Sequence, residues 1–264
     1  MCEPISAFDT GRLRPEALAV LLDFDGTLVA IADQPGGVVL KQHTVRTLAR
    51  LETLLGGAVA IVSGRSIEDI DRIFAPRRPA VAGIHGLERR DGGGRRHGGD
   101  YDRAALDAIA TRLGDAIADR PGLVLERKPG SVALHYRQCP ELEAFCLEQA
   151  RDIAARHPDA RLLSGKMVVE IKLGARTKAD AVTDFMAEPP FAGRTPLYAG
   201  DDVTDEDAFR AVAGLGGISI KIGCGETVAL YCVPDTEAFL DWLGDLSEGL
   251  AAGRAPAHGE GPRP

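Results

Sequence analysis

The chain has 264 residues, 45% hydrophobic and 27% charged, a globular composition with room for one large core or two modest ones. Its net charge of −8, with no run of Lys or Arg longer than two, excludes nucleic-acid recognition as its main task, because neutralising phosphates takes a basic face. No apolar stretch reaches spanning length, no basic-then-apolar leader opens the chain, and Cys2, Cys139, Cys146, Cys224 and Cys232 are never spaced as a metal or redox pair, so reduced thiols in a cytoplasm, away from any membrane, are expected.

From Leu18 to Gly86 short apolar strands alternate with helical stretches: strand 18–22, helix 38–55, strand 58–62, helix 66–74, strand 79–82. The first strand runs into Asp23-Phe24-Asp25-Gly26-Thr27. Two carboxylates of one strand parity point the same way at its carboxyl end, where they can share a Mg²⁺ ion. Asp23 can attack phosphorus, and Asp25 can give a proton to the leaving alcohol and later take one from water. Gly26 permits the turn, and Thr27 can bond to backbone or phosphate. The second strand ends in Ser63-Gly64-Arg65 before a helix, where a hydroxyl, backbone N–H groups and a helix N-terminus favour an anion; Ser63 as a plain helix cap stays open.

After the Gly-rich run 91–96, expected as a hairpin loop, the texture changes to a helix and a hairpin, twice over: helix 101–118, strands 123–128 and 132–136, helix 141–156, strands 161–163 and 168–172. Residues 98–173 therefore read as an α+β domain inserted into a core made of 1–97 and 174–250. The α/β pattern returns with helix 175–187, strand 196–199, helix 206–213 and strand 217–222; residues 251–264 lack periodicity and are expected to be disordered. Lys178, early in its helix, opposes the macrodipole, so an anion should accompany it. The strand at 196–199 opens into Gly200-Asp201-Asp202-Val203-Thr204-Asp205-Glu206-Asp207, whose crowded acids make Asp201 the natural third oxygen ligand for Mg²⁺, with Asp202 and Asp205 behind it orienting water or a lysine.

Taken in order, Asp23-x-Asp25-Gly-Thr27, Ser63-Gly-Arg65, Lys178 and Gly200-Asp201-Asp202-x-x-Asp205 resemble the four motifs of the haloacid-dehalogenase superfamily of phosphatases. Within it, Ala82-Gly-Ile-His85-Gly-Leu-Glu88, Glu126-Arg-Lys128, Ala133-Leu-His135-Tyr-Arg137 and Gly165-Lys166-x-x-x-Glu170 resemble the bacterial trehalose-6-phosphate phosphatases, from about Leu22 to Leu243. The resemblance implies a doubly wound, mostly parallel sheet with its site at strand carboxyl ends and a lid inserted after the second motif. By position it implies Asp23 as nucleophile, Asp25 as general acid/base, Asp23, Asp25 and Asp201 as Mg²⁺ ligands, and Ser63 with Lys178 as the phosphate-holding pair. Gly64 and Arg65 accompany that pair; His85, Glu88, Lys128, His135, Arg137, Lys166 and Glu170 are the candidates for the sugar, or else a solvated hairpin of ion pairs. Ala179-Asp180 departs from the family, which more often has Gly after the lysine, and is read as a matter of helix packing. The implied activity is Mg²⁺-dependent hydrolysis of trehalose 6-phosphate by a monomer; another sugar phosphate, such as sucrose 6-phosphate, or a sensor that binds without turnover are the alternatives.

Overall fold

The computed structural model describes residues 2–30, 38, 40–98 and 101–253. In chain order the elements are β1 (Glu3–Pro4), β2 (Leu18–Leu22), α1 (Gln42–Leu54), β3 (Val59–Val62), α2 (Ile67–Phe74), β4 (Ala80–Gly83), β5 (Glu88–Arg90) and β6 (Arg96–Gly98). Then come α3 (Arg103–Ile117), β7 (Val124–Lys128), β8 (Ser131–His135), α4 (Glu143–Ala154), β9 (Ala160–Gly165) and β10 (Val168–Leu173). The chain closes with α5 (Lys178–Met186), β11 (Thr195–Gly200), α6 (Asp205–Gly214), β12 (Ile218–Ile222), β13 (Tyr231–Val233) and α7 (Thr236–Ala252).

Nine described strands form one sheet in the order β1-β13-β12-β11-β2-β3-β4-β5-β6, parallel from β1 to β4 and antiparallel in the terminal hairpin. β2 is buried along its whole length, as a parallel strand covered on both faces must be, which is why it reads as an unbroken apolar run. The chain goes from β2 to β3 on one side and returns much later as β11 on the other. The carboxyl end of β2 therefore lies at the switch point of the sheet, where a crevice opens.

β7-β8-β10-β9 form a separate antiparallel sheet with its own apolar core. Val169, Ile171 and Leu173 face that core with residues of α3 and α4, so the intervening Glu170 and Lys172 face the other way. The β9–β10 connection is the two-residue turn Lys166–Met167, with Met167 at φ +64.

Several expectations are corrected. The helix expected over 38–55 begins only at Gln42, and Gly98, placed at the start of the inserted segment, pairs with Glu88 as the last residue of β6 in the large sheet. Ala251 and Ala252 belong to α7, because Leu250 is buried and Ala251 packs beside it; residues 254–264 of the expected tail lie outside the described residues. No helix among the described residues is long and apolar enough to cross a membrane.

The helix expected from Ala175 starts three residues later because Thr177 caps it. The Thr177 side chain accepts from the Asp180 backbone, and the Asp180 carboxylate accepts from Thr177 N at 2.7 Å. Asp180 is thus a capping residue, not a packing one. Replacing it with Ala should cost about 1 kcal/mol; the urea midpoint should fall with an unchanged slope, and an unchanged midpoint would show that the cap contributes nothing.

Candidate active site

β2 delivers Asp23 to the switch point, β3 delivers Ser63, and β11 delivers Asp201. Asp23 N donates to Ala199 O at 2.9 Å, which joins the first and third of these loops. Gly26 has φ +82, and a Cβ there would fall 2.2 Å from the Asp201 carboxylate; at Gly200 it would fall 2.2 Å from Asp205. Both glycines are therefore required by close approach, and both approaches bring acidic groups together.

At the centre lies Lys178, the first residue of α5, 3% exposed. Its ammonium donates to Asp23 Oδ1 at 2.8 Å and to Asp205 Oδ1 at 2.7 Å. Tyr198 OH also donates to Asp205 Oδ1 at 2.7 Å, Asp202 N donates to Asp205 Oδ2, and Thr27 donates to Asp23 Oδ2 at 3.3 Å. Burial pushes the Asp23 carboxyl well above its usual range, with Asp205 and Asp201 adding to the rise and Lys178 opposing it. Lys178 moves upward too, since the two carboxylates outweigh its desolvation. Asp201 is likewise raised by burial, against the Lys166 ammonium 2.9 Å from its Oδ2.

Asp23, Asp201 and Asp205 each offer an oxygen within 4.8 Å of one another. Three buried carboxylates against the two ammonium groups that touch them form a hard-oxygen donor set with unbalanced negative charge, which suits a hard divalent cation. The carboxylate of Asp25 is not in this group. β2 ends at Leu22, so strand parity no longer governs Asp25, and its side chain turns to Arg65, which grips it through two 2.7 Å bonds while lying over the Phe24 ring at 5.5 Å. Despite burial, Asp25 raises the Arg65 pKa.

The two sheets enclose a cleft of about 460 Å³, lined by Asp23, Asp25, Gly64, Arg65, Lys178, Asp201 and Asp202 on one side and by Lys128, His135, Arg137, Lys166 and Glu170 on the other, with His85 between them. Lys128 Nζ lies 3.2 Å from Glu170 and 3.8 Å from Glu126, and His135 Nε2 lies 2.8 Å from Glu126. Burial alone would raise Glu170, yet Lys128 and His85 hold it far below the usual carboxylate range; Lys128 is raised in turn. His85, largely buried, is lowered by desolvation, and its Nδ1 has no protein partner among the described residues, nor does Glu170 Oε1.

Three expected residues do not line the cleft. Glu88 turns its Oε1 to Ile67 N at 2.8 Å, completing the start of α2, so it is removed from the sugar candidates. Thr27 is fully buried and reaches Asp23 rather than open space, and Ser63 Oγ accepts from Arg65 N at 3.0 Å. Arg137 and Lys166 meet through a 3.4 Å bond from Arg137 Nη2 to the Lys166 carbonyl, outside any strand register. Sequence reasoning passed over Tyr198, Lys221, whose ammonium donates to Asp201 O at 2.6 Å, and Thr236, which donates to Gly26 O at 2.6 Å. A lysine inside the apolar run 218–222 was the one legible signal.

A doubly wound sheet beneath a second α+β layer is a fold shared with a phosphatase of the haloalkanoate (HAD) enzyme superfamily from Bacteroides thetaiotaomicron, whose structure superposes with a TM-score of 0.62 over 89% of this chain and 97% of that one at 15% identity. Residues 21–232 match the family model described as trehalose-phosphatase, and the chain belongs to that family. It is 41% identical to the trehalose-6-phosphate phosphatase of Escherichia coli (strain K12) over 246 residues, covering 92% of this chain and 91% of that one. It is also 41% identical to a probable trehalose-phosphate phosphatase of Sinorhizobium fredii over 228 residues, 83% and 84% of the two chains. Among solved structures, the C-terminal domain of the C. albicans trehalose-6-phosphate phosphatase superposes with a TM-score of 0.80, covering 88% of this chain and 93% of that one; at 22% identity the likeness is one of fold.

Removing the Lys178 charge tests the centre of the site. Lys178→Met leaves two buried carboxylates without their cation and should cost roughly 3–5 kcal/mol at pH 7. A carboxyl whose folded pKa is raised adds stability that is complete below its unfolded value and lost as pH rises through the folded one. The deficit of Lys178→Met against the parent, followed by urea denaturation, should therefore shrink on acidification toward pH 5; a deficit independent of pH would refute the electrostatic account.

Proposed function

We propose that the protein hydrolyses trehalose 6-phosphate to trehalose and phosphate. The observation that carries this reading is the pairing of Asp23 with Lys178 on the floor of a cleft whose other wall is lined by hydrogen-bonding side chains, in a member of this family.

In the first step an Asp23 carboxylate oxygen bonds to phosphorus as the bond from phosphorus to the sugar oxygen breaks, and Asp25 gives that oxygen a proton. In the second, Asp25 takes a proton from water, the water oxygen bonds to phosphorus, and the Asp23–phosphorus bond breaks. Lys178 holds the attacking carboxylate and offsets charge on the transferred group. Gly64, which lines the cleft, meets the phosphate, and Ser63 joins it by turning its hydroxyl from Arg65 N into the cleft. Arg65 grips both oxygens of the Asp25 carboxylate, so the acid role of Asp25 requires it to leave that guanidinium.

We assign Mg²⁺ to Asp23 and Asp201, with Asp205 near them; the Asp25 carboxylate, expected as a third ligand, pairs with Arg65 and stands outside that group. When bound, the ion supplies positive charge that keeps Asp23 ionised and polarises the phosphoryl oxygens. Lys166 must release Asp201 for this to happen. The second sheet with α3 and α4, residues 101–173, acts as the lid, and Lys128, His135, Arg137, Lys166, Glu170 and His85 present donors and acceptors to the neutral sugar end while water is expelled. We take the protein to act as a monomer. The five cysteines are free thiols, which fits action in the cytoplasm.

Phosphate release from trehalose 6-phosphate, glucose 6-phosphate and sucrose 6-phosphate, each with Mg²⁺ and with EDTA, tests the reading. Trehalose 6-phosphate should be preferred by at least about tenfold, a difference of about 1.4 kcal/mol in transition-state binding, and EDTA should abolish turnover. Equal turnover would sink the lid assignment, and binding with no release would favour a sensor. Asp23→Asn should lose turnover while keeping its melting temperature; surviving activity would exclude the covalent step.

A further inference from the structure

The chain leaves the four-stranded sheet at Leu173 and rejoins the core at Lys178, and the last polar residue of β10 is buried at that junction. Lys172 is 2% exposed and lies opposite Ser131 on the sheet face that carries Glu170. Its ammonium donates to two main-chain carbonyls and, among the described residues, to no carboxylate: His85 O at 3.2 Å, in the core, and Arg176 O, in the returning segment. Arg176 in turn donates from Nε to Gly86 O at 2.8 Å and pairs with Asp184 on α5. Two consecutive carbonyls of the 84–86 turn are thus held by side chains from the segment that joins the sheets.

That turn needs holding. Ile84 and His85 have φ of +47 and +53, a left-handed conformation that costs a residue with a Cβ about 1–3 kcal/mol. The turn presents the His85 ring to the cleft, where Nε2 stands 4.0 Å from Glu170 Oε2 and the ring leaves room for nothing larger than glycine at position 64, since a Cβ there would come within 2.8 Å. A buried ammonium is costly and is retained only where its hydrogen bonds are needed.

We propose that Lys172 is a positioning residue: by tying His85 O to Arg176 O it fixes the left-handed turn that sets His85 beside Glu170, and so tunes the affinity of the cleft for the sugar end of the substrate. This rests on the function proposed above. Desolvation lowers the Lys172 pKa to about 8, with Glu170 on its own strand and Asp180 on α5 opposing and Arg176 adding; His85, lowered by its own burial, faces it from the core. The tie therefore weakens as pH rises through that value, when the ammonium loses its charge.

Steady-state kinetics of Lys172→Met and Lys172→Arg with trehalose 6-phosphate, and with p-nitrophenyl phosphate as a substrate lacking the sugar, test the idea. Lys172→Met should raise KM for trehalose 6-phosphate about tenfold, the loss of one charged hydrogen bond, while kcat and p-nitrophenyl phosphate turnover stay within about threefold of the parent. Lys172→Arg should restore most of the affinity and remove the rise in KM that the parent shows above pH 8. An unchanged KM, or an equal loss with both substrates, would overturn the proposal. Should Lys172→Met not fold, Lys172→Gln is read in the same assays. If the parent turns over no sugar phosphate, the function proposed above fails by itself; the His85 imidazole proton shifts in the parent and in the variant then decide the positioning role, which fails if they coincide.

Discussion

The buried bridge from Asp23 through Lys178 to Asp205 is the constraint on which the rest of the site depends. Two carboxylates and one ammonium, none of them more than 4% exposed, survive together only because each satisfies the others, with Tyr198 and Thr27 completing the set. The bridge joins the end of β2 to the starts of α5 and α6, so the loops that carry the chemistry are fixed to the core, not left to sample space. Asp201, paired with Lys166, brings a third carboxylate oxygen within 4.8 Å of the other two, a donor set that suits a hard cation.

Above that bridge the second sheet works by its two faces. One is apolar and closes on α3 and α4, and the other carries Glu126, Lys128, Ser131, His135, Glu170 and Lys172, ionisable or hydroxyl groups that face the cleft or the junction beneath it. A polar sheet face is ordinarily solvated. Here it is turned inward over the core, and its charges pair among themselves.

Some of this was legible from residues alone because it is governed by local rules. The unbroken apolar run 18–22 placed Asp23 at a strand end and the Gly-rich turns placed the hairpins, while the switch from short apolar strands alternating with helices to helix-and-hairpin units separated the two sheets. Failures came where local rules stop. Asp25 left the strand, so parity misdirected it toward the acidic group when its carboxylate sits on Arg65. Glu88 had the right type for a sugar contact, yet its direction was set by the α2 N-terminus. Tyr198, Lys221 and Thr236 support the site from elements whose own sequence carries no chemical motif, and β13 and α7 were not anticipated at all.

The amino-acid sequence by itself determined the chemical identity of the site: which carboxylates, which lysine and which hydroxyl stand at strand ends, because those features depend on neighbours a few residues away. Tertiary structure alone decided which of them touch. Lys178 meets Asp23 across 155 positions of chain, and Lys172 meets His85 across 87. Such contacts depend on the strand order of the sheet and on where the inserted layer returns, and neither is written in any local window of residues.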